Sequence, residues 1–180
     1  MPTTSFESFP YIAKPDARVL ILGSMPSVAS IKAGMYYAHP RNTFWRILAS
    51  LCDSPPLEDT ESRISFLHEK HIALWDSARE CIREGSADHT IREVKPNDLA
   101  SIFGKCPDIR HIFLNGTKAH ELFERYTSLT IPPTFTGLPC TLLPSTSPAN
   151  TIPYELKLKS WKIVCETADF SPLSDRRITE

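Results

Sequence analysis

Residues 18–23 read RVLILG, a run of branched apolar side chains that ends at a glycine. Three later runs share this pattern: HIALWD at 71–76, RHIFLNG at 110–116 and CTLLPS at 140–145. Short, nearly continuous apolar runs are typical of strands that are covered on both faces of a sheet. The four runs therefore predict one buried, four-stranded sheet.

Helical patterns lie between and after these runs. Apolar residues recur at helical spacing in NTFWRILASLC, 42–52, and around Ile64 and Leu67. Three more helices are predicted in DLASIFGKC (98–106, with Asn97 as its cap), TKAHELFERY (117–126) and PYELKLKSWKIVCETADF (153–170). Strands that alternate with helices indicate a three-layer α/β/α sandwich with a central, mostly parallel four-stranded sheet. Residues 1–15 and 171–180 are predicted to wrap an edge or to form loose tails.

The composition is that of an ordinary folded protein. The chain has 180 residues, of which 41% are hydrophobic and 23% charged, and this suits a single domain over 1–180 with a core at about 17–170. The formal net charge of -1 excludes a uniformly basic nucleic-acid coat but not a local basic groove. No apolar run reaches the roughly 18 residues of a membrane span. The five scattered cysteines form no Cys-x-x-Cys pair, so no metal site is expected.

Small and amide-bearing residues follow each predicted strand, in GSMPS (23–27), WDSARE (75–80), NGTKAH (115–120) and PSTSPAN (144–150). Any one of these segments is also explained as a turn or a helix cap, because Ser, Asn, Asp and Pro dominate both. Parallel strands, however, bring their carboxyl ends to one edge of the sheet, where ligands bind. We therefore expect hydroxyl, amide and backbone N–H groups to converge there on one crevice.

The segment MYYAHPRNTFW, 35–45, is the densest in functional side chains. Phe44 and Trp45 fit the core side of the following helix. The aromatic, His and Arg side chains that precede them fit a binding loop, because aromatic rings stack on bases and arginine pairs with phosphates or base edges. An amide such as that of Asn42 both donates and accepts, so it can orient a water molecule or read a base edge.

These motifs together resemble the uracil-DNA glycosylase superfamily over residues 17–170. The strand ending ILGSMP (21–26) resembles the family's first motif, and AHPRNTFW (38–45) is similar to a segment of the mismatch-specific branch. STSPA (145–149) takes the place of the second catalytic motif. The combination looks most like the hypoxanthine (deoxyinosine) DNA glycosylase branch. The resemblance implies a monofunctional glycosylase that flips a deaminated base out of DNA and hydrolyses its N-glycosidic bond.

The resemblance also assigns roles. Asn42 would orient the attacking water, because Met25 stands where the family has a water-activating Asp or Asn. Asp76 would read the base at the end of a strand where the family usually has Asn. Ser145 replaces the His or Asn that stabilises the departing base, and Ala149 replaces the leucine wedge that fills the vacated space.

The expected site has three groups of residues. Asn42 and Ser145 are expected to be catalytic. The expected base-binding residues are Asp76, Tyr36, Tyr37, Ser24 and Met25. The expected DNA-binding residues are His39, Arg41, Lys118, Ser147, Ala149 and Asn150.

The expected substrate is DNA that contains a deaminated base, most of all hypoxanthine. No metal, organic cofactor or membrane is expected, and the protein is expected to be a cytoplasmic, nucleoid-associated monomer. Three alternatives remain open at this point: a G·U mismatch-specific uracil glycosylase, a non-catalytic module that binds damaged DNA, and an unrelated α/β protein that binds a small molecule.

Overall fold

The structure is a computed structural model that describes residues 4–169. Its strands are β1 (Thr4–Glu7), β2 (Val19–Gly23), β3 (Ile72–Asp76), β4 (Ala78–Arg83), β5 (Arg92–Pro96), β6 (Ile112–Asn115) and β7 (Cys140–Leu143). Its α-helices are α1 (Val28–Ala33), α2 (Phe44–Leu51), α3 (Thr60–Glu69), α4 (Leu99–Lys105), α5 (Thr117–Arg125) and α6 (Tyr154–Asp169). None of these helices is long and apolar enough to cross a membrane.

The predicted four-stranded sheet is confirmed. Its order is β3-β2-β6-β7, and every neighbouring pair is parallel. Strands β2, β3 and β6 are buried along their whole length, as their continuous apolar sequences require. Helices flank the sheet, so the three-layer α/β/α architecture is confirmed as well.

A second sheet, β1-β4-β5, is antiparallel and was not predicted. Its strand β4 reads ARECIR, in which Ala78, Cys81 and the charged Arg83 are buried, and register shifts against β5 interrupt a strict alternation. A charged residue on the buried face hides the apolar alternation that marks a half-covered strand. The N-terminal residues 4–7 form the edge of this sheet, and Ile12 bridges Leu74 of β3, so the described part of the N-terminal segment does wrap an edge. Residues 171–180 lie outside the described part of the chain.

The core confirms the expected inward face of α2. Phe44 and Trp45 are buried, and the Phe44 ring packs edge-on against Trp45 and against Trp161 of α6. The Trp45 indole N–H donates to the Tyr36 carbonyl at 2.9 Å. These contacts fix the loop that precedes α2 to the core, and that loop carries Asn42.

The expected cap of α4 is wrong by one residue. The cap is Asp98, whose carboxylate accepts from the Ala100 N–H, whereas Asn97 is buried. The Asn97 amide instead donates to the carbonyls of Asp76 and Ala78, at 2.8 and 3.2 Å. The Asn97 amide is needed to satisfy buried backbone carbonyls, and the neighbouring Asp98 caps the helix equally well.

Candidate active site

The carboxyl ends of the parallel strands meet at one edge of the sheet. Gly23 pairs with Asp76, and Asn115 pairs with Leu143, so each strand ends at the same level. A cavity of about 250 Å³ opens there. Ten of the thirteen expected site residues line it: Ser24, Met25, Tyr36, Tyr37, His39, Asn42, Asp76, Ser145, Ser147 and Ala149.

Asp76 is the buried carboxyl of this cavity, with 2% of its surface exposed. Ser8 Oγ, from the N-terminal segment, lies 3.3 Å from Asp76 Oδ2. The pKa of Asp76 is raised to about 7, chiefly by burial and to a smaller extent by the nearby Asp88, while the Ser8 hydrogen bond and the Arg83 charge oppose the shift. The carboxyl is therefore poised to change protonation state near neutral pH.

The two expected stacking tyrosines have different surroundings. The Tyr36 hydroxyl is within hydrogen-bond distance of the Phe9 and Pro10 carbonyls, at 3.0 and 3.2 Å, and its ring is buried edge-on against Phe9. Tyr37 stacks one ring face on Phe44 at 4.0 Å, and its buried hydroxyl has no hydrogen-bond partner within residues 4–169. Tyr37 is thus the better candidate of the two for contact with a bound base.

Tyr37 also adopts a backbone conformation that is rare for its residue type. Its φ of 54° places it in the left-handed region. Such strain persists where the surrounding structure over-determines it, and it clusters at functional sites. The turn holds the tyrosine hydroxyl beside Asp76.

Asn42 is held in a fixed orientation by the turn before α2. Its Oδ1 accepts from the Phe44 N–H at 3.0 Å, and its own N–H donates to the His39 carbonyl at 2.8 Å. The amide nitrogen has no protein partner among the described residues, so it remains a donor that faces a ligand or a water molecule. The His39 ring in turn accepts from the Arg41 N–H at 3.1 Å.

Hydrogen bonds join the loop 144–153 to the sheet and to α6. Asn115 and Thr146 exchange two hydrogen bonds of 3.0 Å, and the Thr43 N–H donates to the Thr146 carbonyl. Ser145 packs against Gly116, where a Cβ atom would lie 2.7 Å from the serine Cβ. The Trp161 indole donates to the Pro144 carbonyl at 2.9 Å. The loop is therefore preorganised, and it brings Ser145 and Ser147 to the cavity.

Three expected DNA-binding residues do not line the cavity. Arg41 is exposed beside it. Lys118 is paired with Glu121 at 2.7 Å in the first turn of α5. The Asn150 side chain accepts from the Ile152 N–H, and its carbonyl accepts from Lys157 Nζ. These residues lie around the cavity rather than in it.

Sequence reasoning missed two charged residues that line the cavity. Asp88 accepts from Ser24 Oγ, which lies 3.3 Å from both of its carboxylate oxygens, and burial raises the Asp88 pKa. Arg83 is buried at the end of β4. The available signal was the spacing of Cys81 and Arg83, which stand two residues apart on one strand and therefore share a face. Within residues 4–169 no three His, Cys, Asp or Glu side chains are grouped as metal ligands.

Comparisons with known proteins agree with this geometry. The profile of the Uracil DNA glycosylase superfamily matches residues 9–166. A hypoxanthine DNA glycosylase of Methanosarcina acetivorans is 34% identical over 144 residues, which are 79% of this chain and 86% of the relative. A hypoxanthine DNA glycosylase of Methanosarcina barkeri is 33% identical over 120 residues, 64% of this chain and 73% of the relative. A solution NMR structure of a candidate uracil DNA glycosylase from Methanosarcina acetivorans has a TM-score of 0.77 at 31% identity and covers 93% of this chain and 100% of its own.

The fold, the cavity and these relatives define a DNA glycosylase, a hydrolase of N-glycosyl bonds that acts on DNA. The chain belongs to the uracil DNA glycosylase superfamily.

Proposed function

We propose that this protein excises hypoxanthine from DNA. The observation that carries the proposal is the buried Asp76 carboxyl in a small cavity that the fixed Asn42 amide also lines. Hypoxanthine carries an N1–H donor that an ionised carboxylate accepts. The two Methanosarcina relatives are named hypoxanthine DNA glycosylases, which supports the same base.

The cavity volume fits a single flipped base. Its roughly 250 Å³ lies just below the about 300–1,000 Å³ of pockets for drug-sized ligands. A base reaches such a pocket only after it leaves the DNA stack, at a cost of a few kcal/mol that is smaller for a mismatched pair. The free face of Tyr37 would stack on this base.

The hydrolytic step develops positive charge on the sugar and negative charge on the departing base. The C1′–N9 bond breaks through an oxocarbenium-like transition state, as in sugar transfer elsewhere, and its electron pair leaves with the base. A water oxygen bonds to C1′, and the departing base takes up a proton. Asn42 would orient that water, although an amide is not a general base at neutral pH. Ser145 and the backbone near it would stabilise the leaving base.

A non-catalytic module that binds damaged DNA is the second candidate. Met25 favours it, because this residue packs in an apolar cluster with Ala78 and Cys81 where the first family motif carries a polar residue. A thioether neither takes a proton nor holds water well. In this alternative the cavity binds the lesion and leaves the glycosidic bond intact.

Single-turnover assays on duplexes with one hypoxanthine, uracil or xanthine separate these functions. Alkali converts each abasic site into a strand break, so cleavage reports excision. We expect hypoxanthine to be excised fastest. Lesion binding without strand breaks would establish the non-catalytic module, and faster excision of uracil from G·U pairs would establish the mismatch-specific alternative. The monomeric state and the cytoplasmic location stay predictions, and light scattering of the purified protein tests the former.

A further inference from the structure

Arg83 is a charged residue of the cavity to which the proposed mechanism gives no role. It is 1% exposed and lines the cavity from the end of β4. Its guanidinium lies 4.6 Å from the centre of the Phe6 ring, and Nη2 donates to the Pro26 carbonyl at 2.6 Å. These two contacts hold the guanidinium plane in one orientation.

The Arg83 charge has no carboxylate within ion-pair distance in the described part of the chain. None of the ion pairs formed within residues 4–169 includes it, and its buried Nε–H has no hydrogen-bond acceptor. Asp76 and Asp88 act on it only at longer range. A buried cation without a partner is costly, and an arginine has five N–H donors to satisfy. A bound ligand with acceptor atoms would offset this cost.

We propose that Arg83 reads the O6/N7 edge of the flipped purine, an inference that rests on the proposed hypoxanthine excision. O6 and N7 are adjacent acceptors, and a guanidinium is the side chain that matches this pair in guanine recognition. Hypoxanthine presents the same two atoms. Asp76 accepts from N1–H, so the cavity offers an acceptor and a set of donors to two neighbouring parts of one base.

This arrangement disfavours adenine at two positions of the base. Adenine keeps the N7 acceptor, but it has an amino donor in place of O6 and an unprotonated N1 acceptor, so a donor faces a donor at position 6 and an acceptor faces an acceptor at the ionised Asp76. Buried polar groups that are left unpaired discriminate more strongly than an apolar pocket does. The normal base that hypoxanthine derives from is thereby excluded.

Contact with this edge also makes Arg83 a catalytic residue. When the C1′–N9 bond breaks, the electron pair spreads over the purine ring, including N7 and O6. A fixed cation in a dry site stabilises this developing charge without reorganisation. A backbone phosphate is the less suitable acceptor, because Arg83 is almost completely buried while DNA phosphates stay at the surface.

The test is a double-mutant cycle in which Arg83 is changed in the protein and N7 is changed in the base. Binding is measured to duplexes that carry hypoxanthine or 7-deazahypoxanthine on a 2′-fluorinated sugar, which resists cleavage. Replacement of N7 by C–H should weaken binding by the parent protein about tenfold or more. Arg83→Met should bind both duplexes alike. An equal loss in both proteins overturns the proposal.

Two further variants control for misfolding and for a nonspecific loss of charge. Arg83→Lys retains a cation and should retain part of the N7 sensitivity, even if Arg83→Met folds poorly. Arg79→Met is the matched control, because Arg79 is on the same strand but is exposed and paired with Glu80. Its N7 sensitivity should equal that of the parent.

The outcomes also separate this inference from the proposed function. If N7 matters for binding by the parent and not by Arg83→Met, but the parent leaves no abasic site, then the base contact stands and hypoxanthine excision is overturned. If the parent excises hypoxanthine but the two proteins respond alike to the loss of N7, then the excision stands and the base contact is overturned. Equal weakening on both duplexes, with a smaller salt dependence of binding, would assign Arg83 to a phosphate and overturn the base contact.

Discussion

Asp76 Oδ1 occupies the space that a Cβ atom at Gly23 would need. The two residues pair across β2 and β3, and the Tyr37 hydroxyl lies 2.7 Å from the same position. The Gly23 backbone does not have a positive φ. The glycine is therefore required by the close approach of two cavity side chains and not by backbone conformation.

Gly23→Ala should displace the Asp76 carboxyl and the Tyr37 hydroxyl while the strand still forms. Misplacement of a reacting or binding group by about 1 Å costs on the order of 100-fold in rate, so we expect a loss of this size in single-turnover excision. Gly104→Ala is the control, because nothing lies within 4 Å of its added methyl group and it is in helix α4. A Gly23→Ala protein that cleaves at the parent rate would contradict this reading of the contact.

Asn42→Ala should lower single-turnover excision by at least about 100-fold, the scale of losing one well-placed catalytic group. Lesion binding should largely survive. Asn42 Oδ1 also accepts from the Phe44 N–H at the start of α2, so the variant loses a structural hydrogen bond as well. Asn42→Ser separates the two effects, since a serine hydroxyl accepts a local backbone N–H but lacks the amide. Near-parent excision by the serine variant would show that only this structural hydrogen bond matters.

The contribution of Asp76 to the free energy of unfolding should fall as pH rises from about 4 to about 7, and Asp76→Asn should remove this fall. A raised pKa means that the folded protein holds a proton that the unfolded chain releases. The stabilisation is complete below the unfolded pKa of about 3.8 and is lost as pH rises through about 7. Urea unfolding should show the variant gaining on the order of 3 kcal/mol over the parent between pH 4 and pH 8. Asp53→Asn, an exposed change of the same charge, should show no comparable gain.

Asp76→Asn should also shift base preference away from hypoxanthine, because one of the two carboxylate oxygens becomes an amide donor. If the ionised form accepts from N1–H, excision by the parent should rise with pH around the Asp76 pKa of about 7. The asparagine variant should lack this rise. Rates across hypoxanthine, uracil and xanthine, measured from pH 5.5 to 8.5, check both statements. Identical rate ratios and pH profiles in the two proteins would exclude Asp76 from base reading.

Ala149→Leu should supply the wedge that the loop 144–153 lacks. Ala149 is exposed at the cavity, and the exposed Ile152 follows in the same loop. The added side chain should raise excision most on the best-paired lesion duplex and least on single strands, because only a duplex leaves a gap to fill. Ala100→Leu, on the exposed side of α4, controls for added hydrophobicity. Equal effects on single and double strands would mean that the loop only supports α6.

Asn115→Ala should loosen the loop 144–153 and lower excision of every base alike. It leaves the Thr146 N–H and hydroxyl without their partner in a buried place, which costs about 1–3 kcal/mol per lost group. Thr146→Val removes only the hydroxyl and should destabilise less. Thermal unfolding and excision rates of both variants check that Asn115→Ala has the larger effect. A larger effect of Thr146→Val would contradict it.

The sequence by itself determined the sheet, its flanking helices and most of the cavity lining. Continuous apolar runs have one stable placement, between two layers of helices, and parallel strands necessarily end at one edge. That argument brought Ser24, Asp76 and Ser145 to a single site without any knowledge of distances. The segment that contains Asn42 was marked by its density of polar and aromatic side chains.

Only the tertiary structure decided how that site is charged. Arg83 and Asp88 come from the antiparallel sheet and the turn that follows β4, where an inward arginine hides the strand pattern. Ser8 approaches Asp76 from 68 residues away, and burial raises that carboxyl's pKa. Desolvation and long-range approach depend on which surfaces pack together. No local pattern encodes them, so the residues that tune the cavity emerged only with the fold.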